Sequence, residues 1–382
     1  MANIHMRGPL LTQSGYGVHA RQVFKWAASR GHKVFVQVTP WGITPWHLDG
    51  KSCEGLIDKI MASTAPPQTK PDISIQIQLP NEWDPNLCRK NIGITAGVET
   101  NICSPKWVEA CRNMDAVVFP SEFSANTFIN CGFENPTIIS ETYYPTCLED
   151  PLILDAVEHV PTEKNFLMFG QMTGTDSSLD RKNTLDTIKW FFEGFSNYDV
   201  GLFIKTNSGT NCKMDRRVTQ RHLGNFINTI RPENCKAKIY LIHGSMTEHE
   251  VSSLYKSKKI IGLVSATRGE GFGLPLLEAA VSGLPVVATN WSGHKDFLDK
   301  GSWLPVDQKL IPVPTAKLDG TIFVPGSQWA QPDSSDFISK LKALYKNEDF
   351  YRKKAADLSL KIQKDLNFEK ICNEYDKLLE NL

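Results

Sequence analysis

Residues 265–290 read SATRGEGFGLPLLEAAVSGLPVVATN. An apolar strand, IIGLVSA, runs into a loop with two glycines. A helix pattern follows, and then a second apolar strand, PVVAT. Strand, loop, helix and strand in that order predict a βαβ unit of a parallel sheet. Pro275 falls in the first turn of the expected helix, where a missing N–H costs nothing. Gly271 and Gly273 lack side chains, so a ligand can approach their backbone closely. The free N–H groups of a helix start suit a phosphate. Two carboxylates frame the loop: Glu270 lies within it and Glu278 about one helical turn beyond its end. Helical side chains tilt toward the N-terminus, so Glu278 is expected to accept hydrogen bonds from ribose hydroxyls and Glu270 to hold a sugar. Carboxylates beside a phosphate seat suit a nucleotide sugar better than a bare polyphosphate. The plainer alternative is a loop–helix junction with two solvated glutamates.

The same alternation extends outward in both directions. NIHM leads through a loop to a helix over 16–30 that stops at Gly31, and KVFVQV, ISIQIQL, NIGITA, AVVFP and TIIS follow as strands with helices between them. Residues 143–165, YYPTCLEDPLILDAVEHVPTEKN, are rich in proline and break the pattern; they are read as a link between domains. FLMFG, VGLFIKT, KIYLIHG, IIGLVSA and PVVAT then build a second α/β sheet. Residues 303–332 read as an irregular insertion, and helices follow from 333 to the end.

The 382 residues fit two domains. Forty-two Lys plus Arg balance 42 Asp plus Glu, so whole-chain charge gives no attraction to nucleic acid or to an anionic membrane. The nine cysteines include no CxxC pair. That pattern predicts reduced thiols and no structural zinc. The first ten residues hold no apolar stretch of signal-peptide length, and no segment reaches the ~18–20 apolar residues of a membrane span. A soluble, cytoplasmic protein is expected.

Gly15, Gly17 and Ala20 satisfy the GxGxxG/A fingerprint of dinucleotide-binding proteins. About eight residues separate NIHM from Gly15, however, and the second strand ends in Val38-Thr39-Pro40 with no acid for a ribose. The loop is therefore read as facing a donor phosphate or an acceptor.

The segment around Glu270 and Glu278 resembles the E-x7-E motif of family 4 glycosyltransferases. SGYGVHARQVFKWAASRGHKVFV, SPKWVEACRNMDAVVFPSEFSANTF, DRKNTLDTIKWFFEGF, LFIKT, NWSGHKDFL and FEKICNEYDKLL are similar to further segments of that family in the same order. The resemblance implies a GT-B architecture, with two Rossmann-like domains facing across a cleft. Residues 1–148 would form the acceptor-side domain, joined by a C-terminal helix at about 366–382, and residues 149–365 the nucleotide-sugar domain.

The resemblance also implies roles. Glu270 would meet the donor sugar and Glu278 the ribose, while Gly271, Phe272, Gly273 and Leu274 would meet diphosphate and sugar. Lys182 and Lys205 would neutralise the diphosphate. Gly15, Tyr16, Gly17 and Arg268 are placed at the donor, although Arg268 could simply pair with Glu270. Gln171 stands where many relatives have arginine. ITAGVET stands where many have a cleft histidine, which leaves Thr95 and Glu99 as acceptor-side candidates. His19 and His294 are read as helix-surface residues.

The implied activity is transfer of a sugar from a nucleotide-diphosphate sugar, with retention of configuration and no metal or other cofactor; the chain has no DxD pair. The acceptor stays open among a glycan, a lipid-linked sugar, a small molecule and a modified base. Two other readings are an epimerase or hydrolase on the same fold, and a binding protein without catalysis.

Overall fold

The computed structural model describes residues 1–171, 176–206 and 209–382. The chain forms two compact units. The first contains Met1–Thr142, Leu318–Ser327 and Leu366–Leu382; the second contains Tyr143–Lys317 and Gln328–Asp365.

The first unit is built on six parallel strands: β1 (Asn3–Gly8), β2 (Lys33–Val38), β3 (Ile73–Ile77), β4 (Lys90–Ile94), β5 (Ala116–Phe119) and β6 (Thr137–Ile138). Their order is β2-β1-β3-β4-β5-β6. The helix Gly15–Ser29 follows β1, and the Ser14 hydroxyl accepts from the Gly17 N–H at its start. Gly17 is required by packing. A Cβ there would lie 2.2 Å from the Thr12 carbonyl oxygen and 3.0 Å from that of Pro9. Gly17→Ala is expected to destabilise the protein by about 1–3 kcal/mol through overpacking against backbone, read as a lowered urea midpoint. Gly15→Ala, where a Cβ meets nothing within 4 Å, is the control.

His19 corrects the surface assignment: it is 4% exposed. Its Nε2 lies 3.2 Å from the Tyr375 hydroxyl and burial holds its pKa at about 4. The cover is the helix Phe368–Glu380, whose Asp376 accepts from Trp26 Nε1 and Arg30 Nε at 2.8 Å each.

The second unit repeats the plan with β7 (Asn165–Phe169), β8 (Gly201–Lys205), β9 (Lys238–Ile242), β10 (Ile260–Ser265), β11 (Val286–Thr289) and β12 (Leu304–Val306). The order is β12-β11-β10-β7-β8-β9, all parallel. Phe166, Met168, Phe191, Phe195, Ile204, Val264 and Leu344 meet in its core.

Two sequence readings need correction. Residues 143–164 are integral to the second unit rather than a free link; the Thr146 hydroxyl bonds the Ser252 hydroxyl at 2.7 Å. The supposed irregular stretch 303–332 contains β12 and an antiparallel pair, β13 (Gln308–Pro312) with β14 (Gln328–Pro332), while its residues 318–327 belong to the first unit. There Ile322 and Phe323 pack against the cluster around Trp107 and Phe128. Among the described residues no helix is long and apolar enough to cross a membrane.

Candidate functional site

Strand order locates the site before any side chain is considered. β7 through β9 wind one way, and β10 then pairs with the other edge of β7. Open parallel sheets bind ligands beyond the carboxyl ends of strands at such a reversal. Three of the sequence candidates come from there: the loop of Glu270 leaves β10, the turn of Lys182 follows β7, and Lys205 ends β8.

Glu270 is buried and surrounded by cations. Lys182 Nζ donates to both its oxygens, at 2.7 and 2.8 Å, and Arg181 Nη1 lies 3.6 Å away. Burial alone would raise the carboxyl pKa; Lys182 and Arg181 outweigh it and hold Glu270 at about 2. The turn that supplies these cations is built by Asp180, whose carboxylate accepts from the N–H groups of Lys182 at 3.0 Å and Thr184 at 2.6 Å. Asn183 takes the left-handed conformation before the helix Thr184–Phe195. Arg181 also donates to the Gly269 carbonyl at 2.5 Å. Sequence reasoning gave Arg181 no role; its pairing joins residues 89 positions apart, which no local pattern reveals.

Arg268 does not take the partner suggested for it. It is 2% exposed and donates to the carbonyls of Asp180 and Ser177, to Asn183 Oδ1 and to Gln331 Oε1. Asp186 lies 3.6 Å from its Nη2, and its guanidinium sits over the Trp329 ring. Its contacts stitch the β10 loop to the 177–183 turn and to β14.

The helix Leu274–Val281 begins at the expected place, with Pro275 in its first turn and Gly273 before it at φ +102°. That φ disfavours a side chain, and a Cβ would meet His294 Cβ at 3.2 Å. His294 is fully buried, correcting its reading as a surface residue. Its Nε2–H donates to the Thr289 carbonyl at 2.8 Å. Ser292 accepts the Glu270 N–H through its hydroxyl at 2.9 Å. Gly271 and Phe272 are buried, and Leu274 is half-buried.

Glu278 is 5% exposed and accepts the Tyr255 hydroxyl at 3.0 Å. Burial, opposed by that bond, raises its pKa to about 8, so at neutral pH it holds its proton. Native Glu278 then binds more protons than the unfolded carboxyl, and this stabilisation is present below the ordinary glutamate pKa and lost as pH rises to about 8. Glu278→Gln is therefore expected to gain stability relative to the parent as pH is raised from 5 to 8, measured as the difference in thermal midpoint at each pH.

Lys205 is 7% exposed. Its Nζ donates to the Gly244 carbonyl at 2.6 Å, and burial lowers its pKa to about 8. Gln171 follows β7 after Gly170, with its N–H on the Thr184 hydroxyl at 3.1 Å.

The remaining candidates lie in the first unit. The Tyr16 hydroxyl bonds the Thr95 hydroxyl at 2.9 Å and accepts the Ala96 N–H at 3.0 Å, and its ring stacks on Trp41 with centroids 3.9 Å apart. Thr95 is fully buried, Glu99 half-buried and Gly15 exposed. Trp41 escaped sequence reasoning because it lies in an irregular loop after β2.

Residues 224–317 match the family model described as Glycosyl transferases group 1. That segment contains Glu270, Glu278 and the helix between β10 and β11. A search of curated proteins finds no match. Among solved structures, Alr3699/HepE of Anabaena in complex with UDP and glucose is similar at 13% identity and TM-score 0.62, covering 100% of both chains. Sucrose-phosphate synthase from Thermosynechococcus elongatus is similar at 12% identity and TM-score 0.65, covering 100% of this chain and 99% of that one. OtsA in its apo form has 10% identity and TM-score 0.63, with the same coverage. At these identities the likeness establishes the fold: a GT-B architecture of two parallel six-stranded sheets with helices.

Proposed function

We propose that this chain is a glycosyltransferase that takes its sugar from a nucleotide-diphosphate donor bound at the carboxyl edge of β10, β7 and β8. The observation that carries the reading is the cluster of Glu270, Lys182 and Arg181 beside the Gly273-capped helix. A sugar needs a fixed, ionised acceptor for its hydroxyls. Glu270 supplies one, since its neighbours keep it charged across the working pH range. A departing diphosphate needs positive charge. Lys205, Lys182 and Arg181 provide it, and the Leu274 helix start adds its dipole.

In the reaction, the bond from the anomeric carbon to the diphosphate oxygen breaks. A new bond forms from that carbon to the acceptor hydroxyl oxygen, and the hydroxyl proton passes to the departing phosphate. Retention of configuration and independence of divalent metal are parts of the proposal that rest on the resemblance to family 4. Glu278 is assigned to the ribose. It meets the hydroxyls as a neutral acid at pH 7, or as a carboxylate once its proton leaves. Tyr16, Gly17, Thr95 and Glu99 of the first unit are assigned to the donor phosphate and the acceptor.

UDP-glucose is the first donor to try, since HepE is seen with it. Mass spectrometry with a panel of nucleotide sugars tests the reading. Transfer gives a product that depends on added acceptor and survives EDTA. Epimerisation alters the sugar alone, and a binding protein returns the donor intact.

A further inference from the structure

The charges of this chain cancel in total, but they do not cancel locally. The helix Lys213–Ile230 carries Lys213, Arg216, Arg217 and Arg221 against a single carboxylate, Asp215. Asp215 is occupied at the helix start, where its Oδ2 accepts from the N–H groups of Thr210 at 2.9 Å and Cys212 at 3.2 Å. Among the described residues none of the four cations forms an ion pair.

Helical geometry sorts the side chains. At 3.6 residues per turn, Thr219, Leu223, Phe226 and Ile227 fall on one face, and these are the buried or core-packed residues. The opposite face holds Lys213, Arg217 and Arg221 together with Met214 and Val218, all exposed. Met214 is 69% exposed and Val218 38%. A row of cations flanked by two exposed apolar side chains suits an anionic headgroup layer, which attracts clustered Lys and Arg. The cations meet headgroups, and the methionine and valine enter the boundary below them.

We propose that this face docks the protein on anionic lipid headgroups as a peripheral contact. A nucleic acid fits less well. No Phe, Tyr or Trp stands on the exposed face to stack on bases, and a phosphate polymer leaves Met214 and Val218 without a role. The contact is shallow and reversible, since only two apolar side chains enter. The inference does not rest on the proposed activity.

The test is co-sedimentation of the purified full chain with phosphatidylcholine vesicles, with and without phosphatidylserine. Binding is expected only with phosphatidylserine and should weaken as salt rises. R217E/R221E should lower vesicle affinity by at least about tenfold, on a scale of about fivefold per cation lost. M214S/V218S should also lower it, at unchanged charge. K353E/K354E, at exposed positions on another helix of the same unit, should leave it unchanged. Thermal midpoints should match the parent in every variant, because the altered residues are exposed. No binding to phosphatidylserine vesicles, equal loss with the Lys353/Lys354 variant, or binding indifferent to M214S/V218S would overturn the proposal. So would a preference for a single-stranded RNA fragment that competes the vesicles away.

Discussion

Lys205→Ala is expected to lower kcat by about 10²- to 10³-fold, the scale of losing one charge-stabilising donor at a transition state. Donor affinity should fall far less. Charge on the departing diphosphate grows as its bond to the sugar breaks, so a buried cation contributes most at that moment. The low exposure of Lys205 strengthens the effect, because little water competes for the charge. Burial also makes the charge titratable near neutrality. With a pKa of about 8, Lys205 is mostly protonated at pH 7 and loses its proton as pH rises. The profile of kcat/KM, which reports groups of the free enzyme, should therefore show an alkaline fall beginning near pH 8. A profile flat to pH 10 in the parent would remove Lys205 from the chemistry. So would a Lys205→Ala enzyme with parental kcat and intact fold.

Glu270→Gln is expected to reduce kcat/KM for the intact donor by about 10- to 100-fold, or about 1.4–2.7 kcal/mol of transition-state stabilisation. The substitution keeps shape and hydrogen-bonding capacity and removes the charge. The ion pair adds a second expectation. Lys182 Nζ holds both Glu270 oxygens, so Lys182 and Glu270 act as one unit. Lys182→Met and Glu270→Gln should therefore be non-additive, with a coupling energy of about 0.5–3 kcal/mol in kcat/KM. Full additivity would mean that the contact carries no function. Glu270→Ala is less informative, because it strands Lys182 and Arg181 without their buried counter-charge and lowers stability as well.

Much of the fold was legible because it is written in local patterns. Apolar runs punctuated by helix caps announced the strands and helices of both sheets. Pro275 placed the start of the Leu274 helix. Glu270 accordingly fell in the loop that leaves β10 and Glu278 in the helix after it. What escaped was whatever depends on partners distant in the chain. His19 looks exposed within its own helix, and only the helix Phe368–Glu380 covers it. Residues 143–164 look like a linker because their prolines break periodicity, yet packing on the helix Glu248–Lys256 incorporates them. The short strands β12 to β14 lie among prolines that mask any alternation.

At the site, spacing named the carboxylates and the family resemblance the lysines, but neither gave their states. They could not show that Glu270 is tied to Lys182 and Arg181 and held at about 2. Nor could they show that Glu278 is buried against Tyr255 and raised to about 8. Two glutamates in one motif thus have opposite protonation preferences, set by burial with cations in one case and without them in the other.

One calorimetric measurement tests the division of labour between these glutamates. Affinities for the nucleoside diphosphate alone and for the intact nucleotide sugar are compared in Glu270→Gln and Glu278→Gln. Glu270→Gln should bind the bare diphosphate nearly as the parent does and lose affinity for the intact donor. Glu278→Gln should lose affinity for both, because the ribose is common to them. Equal losses of diphosphate affinity in the two variants, or parental affinities throughout with the fold intact, would contradict it.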